Sequence, residues 1–192
     1  MNICIPLSDI KDVVLIVSSM TTVVVAIYGL NKWRLEYKVK VNYELSRSLL
    51  KSIYSLRDRL DSLRSNFITA NEFMPNYDFK KPNERENYTY IFNNRLKYFN
   101  ESYSDFLSQL PEVEVIFGKE LRNDCVLITV EISSYLDNLN QFIQLVDNTN
   151  NVDYLNQIKK IVFRQTKDDK YRDNFEKLIV IVETKLTGFI KI

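Results

Sequence analysis

The sequence predicts an all-α fold, in which a single amino-terminal transmembrane helix continues into an antiparallel cytoplasmic helical bundle of about four long helices. Two observations support this prediction. A long stretch near the amino terminus has no charged residue, and several later stretches repeat apolar residues every three or four positions, as the buried face of a helix does. We divide the chain into an amino-terminal tail and transmembrane anchor, residues 1–31, and a cytoplasmic helical bundle, residues 32–192.

The composition is that of an ordinary folded protein and excludes several common classes of enzyme. The 192 residues are 45% hydrophobic and 27% charged, and the formal net charge is +1. The chain has no histidine, which excludes catalytic triads, zinc sites and acid–base mechanisms that require imidazole. Its three glycines are isolated, whereas phosphate-binding loops need clustered glycines. No catalytic residue, cofactor or metal site is predicted, and nucleic-acid binding is not expected of a nearly neutral chain.

The first predicted element is a membrane-spanning helix. The chain is uncharged from Val13 to Asn31, and a helix of this length spans roughly 28 Å, close to the thickness of the hydrocarbon layer. A buried helix of a soluble protein and a cleaved signal peptide are the alternatives. The signal peptide is disfavoured because Asp9, Lys11 and Asp12 precede the run where a positive leader is needed, and Tyr28 stands where a cleavage site needs a small residue.

Basic and aromatic residues mark one boundary of this helix. Positively charged flanks remain in the cytoplasm, so the amino terminus is expected outside and the bulk of the chain inside. Aromatic rings favour the headgroup layer, and basic side chains attract anionic lipid. The residues predicted to lie at the membrane interface are Tyr28, Lys32, Trp33, Arg34, Tyr37, Lys38 and Lys40.

After the anchor, the chain continues without proline or glycine into an amphipathic helix. Its apolar residues are spaced alternately four and three apart and form a narrow seam, as in coiled coils and helix bundles. Asp61 is spaced to pair with Arg57 or Arg64 along the helix. The predicted seam consists of Leu45, Leu49, Ile53, Leu56, Leu60, Leu63 and Phe67.

Further helices are predicted after a loop at residues 71–86, which contains two prolines. The second helix is predicted to end where Pro111 interrupts it, and Gly118 suits a helix end because glycine readily adopts positive φ. The third helix is predicted from Leu121 to about Val146, and a short helix follows near Tyr154–Phe163. A last amphipathic helix contains charged residues that exclude a second membrane span.

Three short patterns follow the anchor: W-x-x-E-x-K, Y-E-L-x-R-x-L-L and Y-x-L-R-D. The last two are formed by Tyr43, Glu44, Leu45, Arg47, Leu49, Leu50, Tyr54, Leu56, Arg57 and Asp58. This stretch resembles a group of uncharacterised small bacterial inner-membrane proteins that have one amino-terminal transmembrane helix and a helical cytoplasmic domain. The resemblance implies an inner-membrane location and no particular activity. We interpret Arg57 and Asp58 as structural residues that form ion pairs with other helices of the bundle.

The leading functional hypothesis from the sequence is a non-enzymatic, membrane-anchored helical protein that acts by self-assembly. Its partners would be the lipid bilayer and further copies of itself, and it would perturb the membrane as an effector of a bacterial antiviral or toxin system. Small hydroxyl residues in the anchor can support helix packing in lipid. These residues are Ser18, Ser19, Thr21 and Thr22.

The alternative hypothesis is a membrane adaptor that tethers a soluble, unidentified partner protein. It depends on the aromatic residues Phe73, Tyr77 and Phe79 in the predicted loop, which would form an exposed patch if they did not fold onto the bundle. An enzyme with a carboxylate-based site is the third and least favoured hypothesis.

Overall fold

The structure is a computed structural model that describes residues 7–75, 77–80, 82–147 and 151–190. These residues form five α-helices and a short 3-10 turn at Ala70–Glu72, with no strand among them. The all-α prediction is therefore confirmed for the described part of the chain. The helices are α1 Leu7–Leu63, α2 Glu84–Phe117, α3 Lys119–Leu145, α4 Val152–Val162 and α5 Lys170–Ile190.

The described residues divide into two compact units between Glu44 and Leu45. In the first unit, the side chains from Val14 to Lys38 are all exposed, and the helix is long and apolar enough to cross a membrane by length and composition. The four hydroxyl residues of this stretch donate hydrogen bonds of 2.8–3.0 Å to carbonyl oxygens of the preceding turn. Their polar groups are thus satisfied within the helix, as a lipid environment requires.

The second unit, which we call the helical domain, begins at Leu45 and has one hydrophobic core. The end of α1, together with α2, α3 and α5, surrounds this core, and the shorter α4 covers α3. Side-chain contacts between helices that pack together place the start of one helix beside the end of its neighbour, as in a bundle with antiparallel neighbours. Examples are Tyr88 with Phe142 at 5.1 Å and Lys185 with Asp124 at 2.7 Å.

The predicted seam of α1 is confirmed at six positions and wrong at the seventh. Leu45, Leu49, Ile53, Leu56, Leu60 and Leu63 are buried. Phe67 is 75% exposed because α1 ends at Leu63. There the chain leaves the helix, and the carbonyl oxygen of Arg64 accepts a 2.7 Å hydrogen bond from the backbone N–H of Arg164.

The predicted end of the second helix at Pro111 is also wrong, because α2 continues through it to Phe117. A proline nitrogen has no hydrogen to donate to the carbonyl oxygen four residues earlier in a helix. In α2 that carbonyl belongs to Leu107, which is partly exposed. Beyond the proline, Val113 is fully buried in the core and extends the apolar face of the helix. This burial offsets the missing hydrogen bond. The helix instead ends at Gly118, with φ 89°, the glycine whose conformational freedom suits a helix end, as the sequence indicates.

Candidate functional site

The polar end of the helical domain is the end at which α1 finishes and α2 and α5 begin. It contains the α1–α2 loop, residues 64–83, and the α4–α5 connection, residues 163–169. Buried ionic contacts, exposed aromatic rings and three clefts occur together here. This combination makes the polar end the candidate site.

Arg64 joins the α1–α2 loop to the α4–α5 connection. Its side chain is 1% exposed and donates a 2.9 Å hydrogen bond to Asp169 Oδ1. It also donates to the carbonyl oxygens of Ile161 and Phe163, at 3.1 and 3.5 Å. The guanidinium carbon lies 4.6 Å from the ring centroid of Tyr171, a cation–π arrangement.

Asp169 caps α5 and neutralises Arg64. Its carboxylate accepts hydrogen bonds of 3.0 Å from the backbone N–H groups of Arg172 and Gln165, in addition to the one from Arg64. Burial alone would raise the pKa of Asp169, but these three donors together hold that pKa below its ordinary value. Asp169 is therefore ionised in the folded protein at neutral pH, and Arg64 is a paired buried cation.

Arg95 of α2 holds the first residues of the loop in place. Its guanidinium donates to the carbonyl oxygens of Leu63, Ser65 and Phe67, at 3.3, 2.8 and 2.8 Å. Its Nε also forms a 2.6 Å ion pair with Glu72. The hydrogen bond from Arg95 is the largest influence on Glu72 and lowers the pKa of that carboxyl. One arginine thus fixes the path of the chain from Leu63 to Glu72.

The aromatic residues of the loop pack mainly against one another. Ring centroids lie 5.3 Å apart for Phe73 with Tyr77, 5.3 Å for Phe73 with Phe79, and 4.9 Å for Tyr77 with Phe79. Phe79 remains 72% exposed, whereas Phe73 and Tyr77 are half-buried. The rings form a small cluster on the surface of the domain, and the cluster leaves part of its apolar area in water.

Three clefts flank the segment Ser65–Ile68. The Tyr98 cleft has a volume of about 440 Å³ and is lined by Arg59, Ser62, Leu63, Ser65, Phe67, Thr69, Glu72, Asn94, Arg95 and Tyr98. The Lys159 cleft has about 530 Å³ and is lined by Asn66, Ile68, Tyr88, Asn156, Lys159, Lys160, Phe163 and Gln165. The Asp61 cleft has about 470 Å³ and is lined by Asp61, Ser65, Asn66, Phe67, Arg164, Gln165, Thr166 and Arg172. Each is in the size range of ligand-binding sites.

The residues that the sequence predicts to form ion pairs have other partners in the structure. Arg57 and Asp58 pair with each other at 3.1 Å on the surface. The prediction that they form ion pairs with other helices is wrong for the helices that the structure describes. Arg57 also lies 5.1 Å from the ring centroid of Tyr54. Asp61 pairs with neither Arg57 nor Arg64 but lies 3.7 Å from both Arg164 and Arg172.

The predicted membrane-interface residues lie on the exposed helix of the first unit. Trp33 and Tyr37 stack with ring centroids 5.9 Å apart, and Lys32 lies 3.9 Å from Glu36. The full set, Tyr28, Lys32, Trp33, Arg34, Tyr37, Lys38 and Lys40, is exposed. Their contact with lipid remains a prediction.

The helical domain also contains one cysteine, Cys125, and many carboxylate side chains. Cys125 is buried, and burial raises the pKa of its thiol to about 12, so the reactive thiolate is scarce at neutral pH. Within the described residues, no group of three or more cysteine and carboxylate side chains is arranged to hold a metal ion. No model of a known protein family matches the chain, and no curated protein or solved structure is significantly similar to it.

Proposed function

We propose that this protein is a non-enzymatic adaptor, anchored in a bacterial inner membrane by the uncharged part of α1, that holds a soluble partner protein in the cytoplasm. The observation that carries the proposal is the exposure of two phenylalanine rings, Phe67 and Phe79, at the polar end. Burying a phenylalanine side chain stabilises a protein or a complex by about 1.5–3 kcal/mol. The core of the domain is complete without these two rings.

The polar end also has the rigidity that a binding surface requires. Arg95 holds the loop through three carbonyl oxygens and Glu72, and Arg64 holds the α4–α5 connection through Asp169. A partner that docks on a surface already fixed in place loses less conformational entropy on binding. Exposed rings that are held in fixed positions therefore favour a role of the polar end in binding a partner.

The direction of the pKa shifts also favours binding over acid–base catalysis. Among the described carboxyl groups, the pKa departs clearly from its ordinary value at Glu72, Glu120 and Asp169, and hydrogen bonds from basic or backbone donors lower the pKa of each. A general acid at neutral pH needs a raised carboxyl pKa. These three carboxylates are instead suited to structural ion pairs.

The test is native mass spectrometry of the full chain, solubilised mildly from its own cells. We expect a heteromeric complex that persists when residues 13–31 are replaced by an unrelated membrane helix of the same length. The double variant Phe67→Ser, Phe79→Ser should lose the partner. Val115→Ser is the matched control, because Val115 is also highly exposed, at 81%, but lies near the opposite end of the domain. A partner retained by the double variant would overturn the proposal.

Self-assembly through the membrane helix is the second candidate function. It is favoured by the exposed apolar side chains from Val14 to Leu30, which have no partner within the described chain. The same experiment separates the two functions. A homo-oligomer that dissociates when the membrane helix is replaced would favour a membrane-perturbing effector and would contradict the adaptor.

A further inference from the structure

Positive charge is concentrated around the segment Ser65–Ile68. The linings of the Tyr98, Lys159 and Asp61 clefts together hold six basic side chains and two carboxylates, whereas the whole chain has a formal charge of only +1. The basic residues are Arg59, Arg95, Lys159, Lys160, Arg164 and Arg172. The linings of these three clefts are therefore predominantly basic on a nearly neutral protein.

Three of these cations are available to a partner. Arg95 is committed to Glu72, and Arg164 and Arg172 share Asp61. In contrast, Arg59, Lys159 and Lys160 form no ion pair with any residue that the structure describes. All three side chains are exposed, so a carboxylate can reach them.

The Tyr98 cleft combines one of these cations with apolar walls. Leu63, Phe67 and Tyr98 supply apolar surface, and Arg59 lies 5.7 Å from the ring centroid of Tyr98. A volume of about 440 Å³ accommodates a large side chain. An apolar side chain beside a carboxylate would be complementary to this cleft.

We propose that the polar end binds an acidic segment of the partner protein, with an apolar or aromatic side chain seated in the Tyr98 cleft. Carboxylates of the segment pair with Arg59 on one side of Ser65–Ile68 and with Lys159 and Lys160 on the other. This inference rests on the adaptor function proposed above and names the chemistry of the partner.

A protein segment fits these features better than a nucleic acid does. Nucleic-acid grooves align cations along a phosphate backbone and offer aromatic faces for base stacking. Here the free cations lie in separate clefts, and Arg59 is positioned over the ring of Tyr98. The exposed ring of Phe67 matches an apolar side chain of a peptide.

The test uses the full chain in nanodiscs of neutral phosphatidylcholine and a phage-displayed library of random 12-residue peptides. We expect the enriched peptides to carry Asp or Glu around an aromatic or large aliphatic residue. One enriched peptide is then labelled with fluorescein and its affinity measured by fluorescence anisotropy. Arg59→Glu, Tyr98→Ala and the double variant Lys159→Glu, Lys160→Glu should each weaken binding by about tenfold or more.

Two matched controls reverse a charge outside the clefts on the same helices. Lys51→Glu lies on α1, as Arg59 does, and Lys97→Glu is next to Tyr98 on α2. Both lysines are exposed, and we expect both variants to bind the peptide with unchanged affinity. Circular dichroism checks that every variant has the helix content of the wild type.

Three results would overturn the inference. The first is failure to enrich peptides, or enrichment of neutral or basic ones. The second is equal loss of binding in the two control variants. The third is that a fluorescein-labelled single-stranded oligonucleotide, or vesicles containing anionic lipid, bind more tightly than the peptide and depend on Arg59 and Lys159.

Mass spectrometry of Arg59→Glu separates this inference from the adaptor function. A native partner that stays bound to Arg59→Glu but is lost from the Phe67→Ser, Phe79→Ser variant contradicts the acidic-segment inference and supports the adaptor. Binding of acidic peptides without any native heteromeric complex contradicts the adaptor and supports the basic clefts as a peptide site.

Discussion

Arg64 and Asp169 form a buried ion pair at 2.9 Å across 105 residues of sequence. The pair joins the end of α1 to the start of α5, and Asp169 also accepts backbone N–H groups at 3.0 Å. Removing one partner of a buried pair leaves an uncompensated charge, which costs more than the intact pair contributes. The pair therefore holds the residue after α1 and the residue before α5 together.

Asp169→Asn should lower the free energy of unfolding by about 3–5 kcal/mol, because Arg64 would remain buried without a counter-charge. Urea unfolding of the full chain in detergent, followed by circular dichroism, measures the change. The matched control is Asp168→Asn, since Asp168 is exposed and forms no ion pair with any described residue. Its positive φ of 55° is one that asparagine tolerates, so we expect a change within about 0.5 kcal/mol.

The same pair predicts a dependence of stability on pH. The pKa of Asp169 is lower in the folded protein than its ordinary value, so its contribution is complete above an ordinary carboxyl pKa of about 3.9. That contribution is lost as the pH falls through this value toward the lower pKa of the folded state. The free energy of unfolding should fall more steeply below about pH 5 in the wild type than in Asp169→Asn. Parallel pH profiles would contradict this assignment.

Sequence patterns predict the regular parts of this fold better than the polar end. The third helix was predicted from Leu121 to about Val146 and is found at Lys119–Leu145, since strong apolar periodicity and a glycine before it leave few alternatives. Asp169 before a helix start is a recognisable capping signal. Its partner Arg64 is 105 residues away, and no local pattern indicates that contact.

Two predictions, the end of the α1 seam at Phe67 and the end of the second helix at Pro111, are wrong for the same kind of physical reason. The apolar spacing predicts that the seam of α1 extends to Phe67. The helix instead ends at Leu63, because Arg64 and Arg95 form hydrogen bonds with residues distant in sequence that are incompatible with a longer helix. The rule that proline ends a helix failed at Pro111 because burial of Val113 outweighs one missing hydrogen bond. In each case a distant contact overrides a local preference.

Arg95→Lys should loosen the loop while keeping the positive charge. Lysine has no planar fork of donors and cannot serve Glu72 and three carbonyl oxygens together. We expect a loss of about 1–3 kcal/mol and faster hydrogen exchange over residues 65–72. Arg122→Lys is the control, because Arg122 pairs with Glu114 on the surface, where such pairs contribute at most about 1 kcal/mol. Equal effects of both variants would show that Arg95 has no special role.

Gly118→Ala and Gly188→Ala should change stability in opposite directions. Gly118 has φ 89° and ψ 174°, a conformation that is essentially restricted to glycine, so alanine should cost about 1–3 kcal/mol. Gly188 lies within α5, and among the described residues no atom outside its chain neighbours and the adjacent helix backbone lies within 4 Å of an added Cβ. Alanine there should stabilise the helix by about 0.5–1 kcal/mol. Thermal unfolding of the two variants, measured side by side, tests both signs.

Leu63→Ala and Phe67→Ala test the point at which the α1 seam ends. Leu63 is buried in the core, so its truncation should cost about 2–5 kcal/mol of unfolding free energy. Phe67 is 75% exposed, and its truncation should change stability by no more than about 0.5 kcal/mol. Urea unfolding measures both variants under the same conditions. A large loss in Phe67→Ala would mean that the ring packs against the domain, and it would remove the exposed ring on which partner binding depends.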